Sequence, residues 1–347
     1  MMKDLKPYML SIFCCFCYAG YNLVSKVSLD EGMSRYVLVV YAHAFGTLAT
    51  AVLAFLFERK NESKINVPVL KNIFFLGLLG AVLGRTLFFA GLEYTSSTFA
   101  SAMANIIPSI TFILAVLFRI EKLEISKPSA QAKIAGTLVA LAGATLTTVY
   151  KGIVVISLHH HLRKNPTTAG TSKVFLDGDW LKGSLMLFIS YLSAAAFFIL
   201  QTWTIKKYPA PITLTSLTCL AGTLLAAIMA AILDHKPSVW RLYWNITLLA
   251  PIYSGIVVFG LTAYVQILVI REKGPVFVTA FRPLSTVIVA ILGLLILGEQ
   301  LHLGEILGSI LIVVGLYAIM WAKEYEKRRA ILQIVVSDRG NDINPEK

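Results

Sequence analysis

Ten long apolar runs follow one another along this chain, each about the length that a helix needs to cross a hydrocarbon core of roughly 30 Å. They fall at Pro7–Val27, Tyr36–Phe57, Asn72–Leu92, Phe99–Phe118, Ala132–Tyr150, Gly183–Trp203, Pro211–Leu233, Thr247–Ile270, Pro275–Leu297 and Leu303–Trp321. A backbone in lipid has no water to bond, and a helix satisfies its own polar groups within one segment. The sequence therefore predicts an all-α membrane protein of about ten transmembrane helices. Composition agrees, with 57% hydrophobic and only 14% charged residues, whereas a soluble domain is nearer a quarter charged. The first run follows Lys3 and Lys6 as a signal peptide would, but it is long, lacks a clear small-residue cleavage pattern and opens an array of further runs. It reads as a retained first helix.

The net charge of +12 does not point to nucleic acid, because Lys and Arg sit in short links between apolar runs and form no contiguous basic domain. They read instead as topology signals. An even number of helices puts both termini on one side, and Lys323, Lys327, Arg328 and Arg329 mark that side as cytosolic. The links assigned to it hold 18 basic residues against nine on the opposite side, five of which lie in one long link where the rule is weakest. That link, residues 151–182, carries His159, His160, His161, Pro166 and Gly170 and divides the runs five and five, as a tether between halves would. The His triplet has no Cys or carboxylate at ligand spacing, and Cys14, Cys15, Cys17 and Cys219 lie inside apolar runs, so neither a metal site nor a disulfide framework is expected. The polar tail, residues 322–347, is expected to be partly disordered.

The halves echo one another. Asn105-Ile-Ile-Pro108-Ser-Ile-Thr111 in the fourth run matches Ala280-Phe-Arg282-Pro283-Leu-Ser-Thr286 in the ninth. Each is followed by Glu-X-Leu, at Glu121 and Glu299, and then by a run with paired glycines, Gly136 and Gly143 or Gly308 and Gly315. Five helices per half is an odd number, so the second half enters the membrane from the opposite side. This is the inverted-topology repeat of many secondary transporters, here residues 7–150 and 183–321.

The stretch Gly91-Leu-Glu-Tyr94-Thr-Ser96 through Asn105-Ile-Ile-Pro108, with Thr111-Phe-Ile-Leu-Ala and Arg119-Ile-Glu121-Lys, resembles the plant drug/metabolite-transporter branch known as the nodulin-21-like or UMAMIT family, which has two EamA domains. Tyr208-Pro-Ala-Pro211, Lys273-Gly-Pro-Val-Phe277, Leu297-Gly-Glu299, His302-Leu-Gly304 and Gly315-Leu-Tyr317 extend the resemblance over about residues 7–325. It implies a ten-helix, two-repeat carrier with cytosolic termini, in the plasma or vacuolar membrane, for substrates such as amino acids and, in some members, auxin-like or other metabolites. One departure stands out: many members read Tyr-Arg-His in the second helix, where this chain has Tyr41-Ala42-His43, while Arg85 occurs in the third run. Arg85 either takes over that charge or marks a subgroup with a different substrate.

A charge inside the bilayer is expensive and usually faces a cavity or a partner, which makes Arg85 and Arg282 the leading candidate substrate-binding residues. Arg85 also suits a packing pair with Glu93, and Arg282 could snorkel to the membrane edge. Asn22 and Gln201 hold matching places, twelve residues before Ser34 and Thr213. With Asn105, Gln266 and His43 they offer polar contacts at the midplane, although interhelical bonds of a purely structural kind use the same residue types. Pro108 and Pro283 each remove one helical hydrogen bond and suit a bend in a gating helix. Glu121 and Glu299 suit anchoring or capping, and the glycine pairs suit close helix approach.

The expected function is transport of small polar metabolites, amino acids first, by alternating access between the repeats. A nucleotide-sugar carrier is the rival within transporters, and a receptor or scaffold the rival outside them. No Ser/His/Asp set, HExxH sequence, phosphate loop or paired carboxylates suggest an enzyme, and no cofactor is expected. The expected partners are the substrate and the bilayer, with self-association as a homodimer left open.

Overall fold

The computed structural model describes residues 2–58, 65–94, 103–121, 127–150, 154–156, 178–234, 240–242, 244–296 and 301–342. In the first half these form α1 (Met2–Asp30), α2 (Arg35–Phe57), α3 (Val67–Gly77), the π-helical π1 (Leu78–Thr86), α4 (Leu87–Tyr94), α5 (Ile107–Leu117) and α6 (Pro128–Val149). After β1 (Val154–Ile156) come α7 (Gly178–Lys207), α8 (Pro211–Leu233), α9 (Ile246–Tyr253), π2 (Ser254–Thr262), α10 (Ala263–Lys273), α11 (Pro275–Ala280), α12 (Arg282–Ile296), β2 (Leu301–His302) and α13 (Leu303–Asp342). Seven described helices are long and apolar enough to cross a membrane, and Ile107–Leu117 and Pro275–Val289 are shorter apolar helices. The fold is an all-α membrane bundle of about ten spans, as expected from the apolar runs.

The third and eighth spans each run as α-helix, nine residues of π-helix and α-helix again. The two π segments share a Gly-X-Thr at the same register, Gly84-Arg85-Thr86 and Gly260-Leu261-Thr262, a second echo of the repeat. A π turn aims its hydrogen bonds at the fifth residue back and loosens the ladder, a geometry common at functional sites. Two serines of α7 reinforce π1, Ser190 donating to Gly84 O at 2.6 Å and Ser193 to Leu79 O at 2.7 Å.

The fourth and ninth spans were expected as continuous helices, and both are broken at the repeated motif. The chain turns at Asn105-Ile106 before α5, and at Phe281 between α11 and α12. Pro108 and Pro283 are therefore the second residues of new helices, where the missing N–H would have had no helical partner. The prolines mark restarts of the helix and not bends within it.

The two halves are tied reciprocally. At the C-terminal end of α2, Glu58 accepts bonds from the N–H groups of Ile212 (3.0 Å) and Thr213 (2.7 Å) and from the Thr213 hydroxyl (2.7 Å), capping α8. At the other end, Ser34 donates to Asp234, which follows α8. On the Ser34 side, Tyr41 also donates to Trp240 O at 2.8 Å. Antiparallel α6 and α13 pack where their glycines meet: a Cβ on Gly136 would stand 2.6 Å from Gly315 O, and one on Gly143 2.7 Å from Gly308 O. These glycines let two backbones touch, the structural role expected of them.

Two expectations change. The tail is helical as far as Asp342, continuing α13 well past the apolar run, with Glu324 and Arg328 paired one turn apart at 3.3 Å. Polarity ends the membrane segment without ending the helix, because Lys, Glu, Arg and Ala are strong helix formers. The link between halves is also more than a tether, since Val154–Ile156 pairs antiparallel with Leu301–His302 just before α13. His159, His160 and His161 lie outside the described residues.

Candidate functional site

Two positively charged centres lie along one face of α1. Tyr18 and Tyr21 are three residues apart, so they share that face about 4.5 Å apart along the axis. The Arg282 guanidinium sits over the Tyr18 ring, 4.9 Å from its centroid, and 5.6 Å from that of Phe198 on α7. The Arg85 guanidinium, carried by π1, sits 5.1 Å from the centroid of Tyr21 and 5.4 Å from that of Phe259 on π2. Among the described residues neither meets a carboxylate; their contacts are aromatic.

A small cavity of about 20 Å³ lies beside Arg282, between α1 of the first half and α10, α11 and α12 of the second. Its polar lining comprises Ser11, Tyr18, Gln266, Arg282 and Ser285, with Cys14, Cys15, Val269, Val278 and Phe281 as its softer walls. Each polar group is positioned by its neighbours. Gln266 Nε2 donates to Tyr18 Oη at 3.3 Å. Ser285 donates to Cys15 O at 3.4 Å, and Cys15 Sγ to Phe281 O at 3.3 Å, stitching α1 to the break before Arg282. That break is what puts Arg282 here: as first residue of α12, it leaves the chain at a corner and not along a packed helix side.

Of the residues singled out from sequence, Arg282 and Gln266 share this cavity, and Arg85 stands beyond it on the same face of α1. His43 belongs to the Arg85 group as packing. Its ring stacks on Phe259 at 4.1 Å, its Nδ1 lies 2.8 Å from Val39 O, and a Cβ on Gly222 would meet its ring at 2.7 Å. The imidazole is buried as a wedge behind the ring that holds Arg85.

The matched amides part company: Gln201 is buried in α7 away from the cavity, while Asn22 is exposed on α1. Asn105 is buried at the break before α5, outside the cavity lining, and Pro108 beside it is buried too. Pro283 is buried next to Arg282. Glu121 joins a cluster at the Glu58 face, 3.7 Å from buried Lys133, which also pairs with Glu326 of α13 at 2.7 Å. Glu299 and the side chain of Glu93 lie outside the described residues.

Sequence reasoning missed Tyr18, Tyr21, Phe198 and Phe259, the rings that hold the two arginines. It also missed the carboxylates Glu58 and Asp234. Aromatic residues within apolar runs look like any lipid-facing side chain, and the signal that could have found the π segments was the repeated Gly-X-Thr.

Comparison with known proteins places this geometry. The EamA-like transporter family matches residues 5–149 and 181–321. The WAT1-related protein At5g07050 of Arabidopsis thaliana is 44% identical over 99% of this chain and 87% of its own length, and At2g40900 is 43% identical over 94% and 81%. WAT1-related protein At1g21890 of the same plant is 41% identical over 94% and 86%. A crystal structure of 14% sequence identity superposes with a TM-score of 0.68 over 92% of this chain and 98% of its own, a likeness of fold. The chain thus belongs to the EamA-like transporter family, as a multi-pass membrane transporter of small molecules and not an enzyme.

Proposed function

We propose that this transporter carries amino acids, with Arg282 receiving the substrate carboxylate while Gln266 and Tyr18 serve its amino group. The observation that carries this reading is the cavity between the repeats, where an arginine without a carboxylate partner among the described residues stands beside an oriented amide. A guanidinium whose contacts are aromatic keeps its N–H donors for a bidentate carboxylate. Alternating access follows from the two inverted halves moving about this central site, with both termini in the cytosol and the protein in the plasma or vacuolar membrane.

Radiolabelled amino-acid uptake by the purified protein in liposomes tests the proposal. Uptake above protein-free vesicles is expected. Arg282→Gln keeps donors and loses the charge, so uptake should fall by roughly tenfold or more, the weight of a hydrogen bond to a charged group. Equal uptake by this variant at equal reconstitution contradicts the assignment of Arg282.

A further inference from the structure

We infer that the preferred substrates are dicarboxylates, so that acidic amino acids are carried ahead of neutral ones. The inference rests on the amino-acid reading of the Arg282 cavity and narrows it by means of Arg85, which that reading leaves unused.

Two guanidiniums stand along one face of α1, over Tyr18 and Tyr21, which lie one helical turn apart. Neither has a carboxylate partner among the described residues. In a low-dielectric interior two like charges without a counter-ion are an expensive arrangement, and aromatic faces compensate far less than an anion does. Among the described residues neither guanidinium donates a hydrogen bond, which leaves its N–H groups for a ligand. A ligand with one carboxylate neutralises Arg282 and leaves Arg85 exposed to its field. A ligand with two short-spaced carboxylates answers both, since the guanidiniums sit over tyrosines whose positions on α1 are about 4.5 Å apart along the axis, of the order of the spacing between the acidic groups of glutamate. The arrangement is not a product of the repeat. Arg85 corresponds to Leu261 in π2, and Arg282 to Ile107 before Pro108, so each half supplies one charge from a different span and both converge on α1.

Competition in proteoliposomes decides the matter on the unmodified protein. Uptake of labelled glutamate is measured against unlabelled glutamate, glutamine, lysine and glutarate, the last a dicarboxylate without the amine. Glutamate and glutarate should compete at concentrations roughly tenfold or more below glutamine, with lysine weakest. Arg85→Gln should collapse the glutamate-to-glutamine preference, and Arg85→Lys should restore part of it. If glutamine competes as well as glutamate, the dicarboxylate inference falls and the amino-acid reading stands. If labelled glutarate is taken up and labelled glutamate is not, the dicarboxylate inference stands and the amino-acid reading falls. If neither glutamate nor glutamine is taken up and glutarate does not bind, both fall.

Discussion

At the scale of single residues, what was visible in the sequence was expense. Arg85, Arg282 and Gln266 are costly inside apolar runs, and their cost is legible without a structure; all three stand on the α1 face or in its cavity. Asn22 and Gln201 looked equally costly and occupy matched places, yet one is exposed and the other buried away from the cavity. The direction in which a helix presents a given side chain depends on its neighbours, which one sequence does not reveal. His43 shows the same limit, since its role is set by Phe259 and Gly222 from two other spans. Gly222→Val places new atoms against that imidazole, and overpacking of this kind costs about 1–3 kcal/mol. The variant should melt at a lower temperature in detergent, and pairing it with His43→Ala should recover part of the loss. An unchanged melting temperature for Gly222→Val would show that the ring is not confined.

At the scale of elements, prolines and glycines announced special positions but not what happens there. Pro108 and Pro283 suit a bend by sequence alone, whereas the chain ends one helix and begins another, which places Arg282 at a corner beside the cavity. The π segments are harder to foresee, because their stability is borrowed from α7, whose Ser190 and Ser193 reach across to carbonyls of π1. Interhelical hydrogen bonds in membranes average about 0.6 kcal/mol each. Ser190→Ala with Ser193→Ala should therefore destabilise the protein only slightly, yet raise the concentration needed for half-maximal uptake, because π1 positions Arg85. A double variant with wild-type uptake kinetics would separate Arg85 from the substrate path.

At the scale of the molecule, the inverted repeat was legible from paired motifs. The contacts fit its alternating course: Glu58 meets α8 at one face, and Ser34 meets Asp234 at the other. Which face is cytosolic rests on the distribution of basic residues. Asn61-Glu-Ser63 lies in a link assigned to the cytosol and Asn245-Ile-Thr247 in one assigned to the opposite side. Asn245 is also engaged as a cap, accepting from Thr247 N at 3.0 Å, which hinders its modification. Expression in a glycosylating host should leave Asn61 bare, and sugar on Asn61 would reverse the orientation.

The central claim is that two inverted halves carry an amino acid by exposing one site to each side in turn. Counterflow tests it most directly. Liposomes containing the purified protein are loaded with a high concentration of unlabelled amino acid and diluted into a trace of the labelled one. Alternating access predicts transient accumulation of label above its equilibrium level, strongest with glutamate inside and lost in Arg282→Gln. Entry of label that never exceeds equilibrium, or that ignores what is loaded inside, would contradict a carrier with a single alternating site.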